Sequence, residues 1–131
     1  MIGKFAVPTA LFGLFCSGAS LLAHHSFSTE YDGTKTFSVK GKVSRVEWTN
    51  PHARFYVDVT DETGKVTTWN MELASPNALA RNGWTSRILK VGDLVTVKGY
   101  AARVAPNRGN ARSVLTADGR SLFAGVVDDN R

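Results

Sequence analysis

The strongest chemical suggestion in this sequence comes from its three histidines, His24, His25 and His52. If processing makes His24 the first residue, its α-amine and its ring Nδ1 can chelate one metal ion together. A second imidazole, from His52 or less readily from His25, then completes a T-shaped set of three nitrogens. Nitrogen-rich, square-type coordination suits Cu(II), which also tops the divalent affinity series. By analogy with other exported copper proteins this arrangement is a histidine brace. His25 can also bind by itself, through its ring and the backbone. Glu30, Tyr31 and Asp32 lie nearby in sequence as axial or supporting groups, and the spacing selects none of them. The plainer alternative is that the first two histidines are solvated polar residues near a free amino terminus. His52, after Asn50-Pro51, is then a turn residue bonded to backbone. Copper is the one cofactor this sequence suggests.

A second constellation is cationic and aromatic. Arg54, Tyr56 and Asp58, with Thr68, Asn70 and Glu72, fall on the outward phase of two alternating segments. Trp69 falls on the inward phase and reads as core. Arg103, Arg108 and Arg112 flank a loop and offer a place for an anion or an anionic polymer, although loop arginines are usually just solvated. A nucleic-acid platform combines several aromatic residues with a basic groove. One tyrosine among mixed charges is not that, so nucleic acid is not an expected partner. The expected partner is a metal, a small ligand or another protein. Nucleophile elbow, phosphate-binding glycine loop, HExxH and a Cys-His pair are all missing from the chain, so no enzyme is expected.

These residues need a body to position them, and the start of the chain is not part of it. Residues 1–23 have the three parts of a secretory signal: a positive start at Lys4, an apolar run Phe5–Phe15, and small residues before Ala23. The run is about half the ~20 apolar residues that a membrane helix needs. Cutting after Ala19 satisfies the small-residue rule better. Cutting after Ala23 coincides with the sharp change of character at His24, and is preferred here. Either cut leaves a periplasmic or secreted protein with no membrane span. A lipoprotein cut before Cys16 is disfavoured by the bulky Phe15. The one cysteine lies in this leader, so the mature chain has neither a disulfide framework nor a thiol nucleophile. The formal charge of +5 over 131 residues, with 43% hydrophobic and 21% charged residues, is that of an ordinary globular chain of one domain.

Residues 24–35 read as an extended polar arm, 36–125 as the domain, and 126–131 as a tail. In the first strand, 36–48, the alternation of Phe37, Val39 and Val43 slips phase before Val46 and Trp48, the signature of a β-bulge. Gly41 allows a sharp coil there. Strands follow at 53–60 and 65–73, joined by the turn Asp61-Glu62-Thr63-Gly64. Ser75-Pro76 starts a short helix that Gly83 ends. A fourth strand spans 93–101, a loop 103–110, and a fifth strand 111–116. Asp118-Gly119 then turns into a short strand ending at Ala124. Three strands, a helix, then two or three strands is the order of the OB-fold. The expected fold is therefore an all-β, OB-fold-like antiparallel barrel of five to six strands, with an open sheet as the alternative.

Two groups of residues carry a family resemblance. One is Ala23-His24-His25-Ser26-Phe27. The other is Glu47-Trp48-Thr49-Asn50-Pro51-His52, with Glu72-Leu73-Ala74-Ser75-Pro76-Asn77 and Gly83-Trp84-Thr85. Together they resemble a family of small exported bacterial proteins of unknown function. The resemblance implies an exported single-domain protein and supplies no activity, ligand or site residue. The function expected from the residues is a small exported binding protein, monomeric, that holds Cu(II) through a new amino-terminal histidine. The alternative is a metal-free ligand- or protein-binding module that uses the barrel face and the arginine loop.

Overall fold

The computed structural model describes residues 27–124. A single helical turn, α1 (Phe27–Glu30), leads into a long strand, β1 (Tyr31–Glu47). Then come β2 (Arg54–Thr60), β3 (Val66–Glu72), α2 (Pro76–Arg81), β4 (Leu94–Ala102), β5 (Arg108–Thr116) and β6 (Ser121–Phe123).

β1 pairs antiparallel with β2 through its second half and with β4 through its first, so one long coiled strand belongs to both sides of the sheet. β2 pairs with β3, and β4 with β5. The ring closes where β3 and β5 run parallel through Asn70–Arg108, Met71–Gly109 and Glu72–Asn110. The circuit β1-β2-β3-β5-β4 with a helix between β3 and β4 is the OB-type barrel that the element order predicts. Closure rules out the open sheet and leaves only the short β6 outside the ring, paired with β5.

The phase slip in β1 is a bulge between Val43 and Arg45 in the pairing with β2. Gly41 is required beside it, because a Cβ there would lie 2.2 Å from the backbone oxygen of Asp58. Gly99 has the same role in β4, where a Cβ would meet the Asn110 carbonyl at 2.0 Å. Inside the ring, Phe55, Val57, Met71, Val97 and Val114 are wholly buried. Each such side chain removed from water contributes about 1.5–3 kcal/mol. Trp69 packs at the edge of this core with its ring 5.1 Å from Phe37. α2 adds Leu79 to this core, with Ala78 packed against it, and is capped by the Ser75 hydroxyl accepting from the Ala78 amide. Trp84 follows it, buried, and donates to the Phe123 carbonyl at 2.9 Å.

Two boundaries differ from expectation. Of the arm expected over 24–35, residues 31–35 are extended, as the start of β1, but the described part is docked on the barrel at its beginning. It coils in α1 and joins β1 at Tyr31, which is 2% exposed. Its polar composition concealed two aromatic anchors, Phe27 and Tyr31. The expected loop 103–110 is also shorter, because β5 begins at Arg108, at the parallel seam with β3.

Candidate functional site

The end of the barrel formed by the β1–β2 loop (48–53) and the β4–β5 loop (103–107) carries a buried polar cluster. Its centre is Glu72, the last residue of β3, which is 4% exposed. On the pattern of β3 it was expected on the outer, solvated face. It is instead enclosed by groups from four other segments.

His52 comes from the β1–β2 loop, just after a cis Asn50–Pro51 bond. The next residue, Ala53, is locked to the end of β3: its amide donates to the Ala74 carbonyl, and its own carbonyl accepts from the Leu73 amide at 2.9 Å. This fixes the loop exit and sets the His52 Nδ1 3.3 Å from Glu72 Oε1. Arg54 stands opposite Glu72 in the β2–β3 register. Its Nη2 lies against Glu72 Oε2, and its Nη1 donates to Asn70 Oδ1 at 3.2 Å. Arg108, from β5, brings its Nη2 within 3.6 Å of the same carboxylate oxygen and 3.3 Å of Glu30 Oε2.

Tyr31 completes the enclosure. Its hydroxyl faces Glu72 and Arg108 and forms no hydrogen bond of ordinary geometry. Burial, and then the negative charge of Glu72, push its pKa up to about 12, against the opposing pull of Arg108. Asn110 lies opposite Glu72 across the seam, completely buried, with neither end of its amide bonded among the described residues.

The α1 turn lies over this end of the barrel and is held there by several contacts. The Phe27 ring stacks on Tyr31 and meets Tyr100 edge-on, both at 5.6 Å between centroids. The Arg103 backbone amide donates to the Glu30 carbonyl at 2.9 Å, and its Nε to the Ser28 carbonyl at 2.8 Å. Its Nη1 lies 3.7 Å from Asp32. The three arginines expected to flank a ligand-binding loop therefore have separate engagements. Arg103 and Arg108 grip the chain's own leading segment. Arg112, in β5, lies over Tyr100 at 5.6 Å. Tyr56 stands apart on the β2–β3 face, under the Arg45 guanidinium at 4.8 Å.

Of the candidate site residues, His52, Arg54 and Arg108 meet on Glu72. Tyr56, Arg103 and Arg112 do not join them there. His24 and His25 lie outside the described residues. Among the described residues no group of three or more His, Cys, Asp or Glu side chains is gathered for a metal, and no helix is long and apolar enough to cross a membrane. Glu72 was expected only as one residue of the outward β2–β3 face, and Asn110 was not singled out at all. Alternation put Glu72 outside, and nothing in the sequence announced that the leading segment would fold back over it.

A family model matches residues 12–112. The chain belongs to DUF6152, a family of unknown function. The match takes in His24, His25, His52 and every member of the Glu72 cluster, and it stops before β6. No curated protein matches the DUF6152 chain.

Proposed function

We propose that this DUF6152 protein is exported, loses residues 1–23, and binds Cu(II) without catalysing a reaction. The α-amine and ring of His24 supply two nitrogens, and the Nε2 of His52 supplies the third. The observation that carries this reading is the pairing of His52 with Glu72. A metal-binding histidine characteristically places its other ring nitrogen on a carboxylate, which fixes the tautomer and aims the ring. Nδ1 of His52 is so placed, 3.3 Å from a carboxylate held by two arginines, while 38% of the His52 side chain remains open to an incoming ligand. The placement of α1 on the same end of the barrel supports the reading, since His24 stands only three residues before Phe27. Such a tether spans roughly 10 Å at most. The rival, a metal-free module using the arginines, has less support, because Arg103 and Arg108 already hold the leading segment.

The test is a competition titration with Cu(II) of the protein beginning at His24 and of a form with one extra residue before it. The first form binds tightly and the second loses that binding. Equal affinity in the two forms would refute the amine as a ligand.

A further inference from the structure

Residues paired directly across an antiparallel ladder share a face, so the register lays out the outer surface of β1, β4, β5 and β6 row by row. One row runs Lys40, Thr96, Leu115, Ser121. The next runs Ser38, Lys98, Ser113, Phe123. Leu94, opposite Lys42, continues the surface on one side, and Tyr100, opposite Thr36, on the other. No aspartate or glutamate stands in these rows. The nearest carboxylates along the chain to β4 and β5, Asp93 and Asp118, lie in turns and are engaged there, the first by the Lys90 amide and the second by Thr116 and Arg120. Neither Lys40 nor Lys98 is in an ion pair among the described residues. The same surface leaves Leu94, Leu115 and Phe123 open to solvent, at 39%, 46% and 54%. The other large apolar side chains as open as these, Val66, Val91 and Val104, are single valines at a strand end and in loops.

We infer that this face docks on the surface of an anionic lipid bilayer. Two open clefts mark it, of about 450 and 260 Å³. Lys98 and Arg112 border the first beside the Tyr100 ring, and Lys40 borders the second with Leu94 and Leu115. Cations of this kind are drawn to the negative charge of the leaflet. Apolar side chains set among them enter the boundary between headgroups and acyl chains. Those apolar side chains decide the occupant, because a hydrophilic polyanion has nothing to bury against them. A second copy of the chain is excluded by charge, since this face laid on itself sets lysine against lysine. The inference uses none of the proposed copper ligands and is independent of that reading.

The closed ring and its core lie within residues 27–124. The form beginning at His24 keeps both and lacks the apolar run Phe5–Phe15, which would bind lipid by itself. Cosedimentation of this form is measured with vesicles of phosphatidylcholine and phosphatidylglycerol in equal parts, and with vesicles of phosphatidylcholine alone. The mixed vesicles bind it, less tightly as salt is added, and the neutral vesicles bind it far less. Lys40→Gln with Lys98→Gln weakens binding about 30-fold, at about fivefold for each lysine. Leu115→Ser with Phe123→Ser changes no charge and weakens binding about tenfold or more. Lys65→Gln with Arg81→Gln removes the same charge away from the face and changes binding little. All six side chains are exposed, so each variant keeps the far-ultraviolet spectrum of the barrel. A wild-type protein that ignores the mixed vesicles overturns the proposal. So does an equal loss in the two charge pairs, which makes net charge the cause. A loss in the Lys40 and Lys98 pair with none in the apolar pair overturns the bilayer and leaves a soluble polyanion or an acidic protein as the occupant.

Discussion

Glu72 shows how one buried carboxylate organises its surroundings. An ionised carboxylate at this depth needs compensation, and the two guanidiniums of Arg54 and Arg108 supply it. Tyr31 shares the enclosure and reports on it. Its phenol holds its proton to about pH 12 because burial and the Glu72 charge both oppose ionisation. In the unfolded chain a tyrosine ionises near pH 10. Between these values the native state therefore binds more protons than the unfolded one, and stability falls as pH rises from 10 towards 12. Ultraviolet titration should show one tyrosine ionising about two units late. Tyr31→Phe should abolish that late step and flatten the alkaline loss of stability. A Tyr31 that titrates with the other tyrosines would mean that the enclosure is not as described.

At the scale of the elements, two glycines permit the strands to coil. Gly99 lies where β4 crosses β5, and the Asn110 carbonyl would be 2.0 Å from any Cβ there. The obstacle is backbone and cannot rotate away. Gly99→Ala should cost about 1–3 kcal/mol or more, in the range of an overpacked core, and lower the denaturant midpoint without changing the far-ultraviolet spectrum. Gly41 and the phase slip of β1 were legible in the sequence because a strand with one face buried cannot change register without leaving a trace in its hydrophobic alternation; the role of Gly99 was not. The α2 boundaries were legible for an equally local reason, Ser75 and Pro76 at the start and Gly83 at the end. The start of β1 was not. Asp32 to Lys35 are polar, and what draws them into a strand is the pairing of Tyr31 and Thr36 with β4 on either side of them and the docking of Phe27 and Tyr31, contacts distant along the chain. The start of β5 was hidden for the same reason, since Arg108 and Gly109 are drawn into the strand by β3 alongside, with Gly109 also pairing with Ala101 of β4.

For the molecule as a whole, element order predicted the barrel. The strength of its core follows from residues that the alternation had already turned inward. Phe55 is completely buried at the centre. Phe55→Ala should remove about 3–5 kcal/mol. In a domain of this size each kcal/mol is worth about 4–8 °C, so calorimetry should show a melting temperature lower by well over 10 °C. The candidate site was only half legible. The histidines advertised themselves by residue type, whereas Glu72 became a site residue through enclosure by a distant arginine and by the leading segment.

The ring is fastened by three parallel rungs, and two of them, Asn70–Arg108 and Glu72–Asn110, bear the side chains of the polar cluster. The clasp of the barrel and its chemically endowed end are thus one piece of backbone. Anything that tightens its hold on His52 or Arg108 also cinches the circle. Conversely, a breathing motion that parts β3 from β5 scatters the cluster at the same instant, so vacancy at that end and looseness of the whole hoop should rise and fall together.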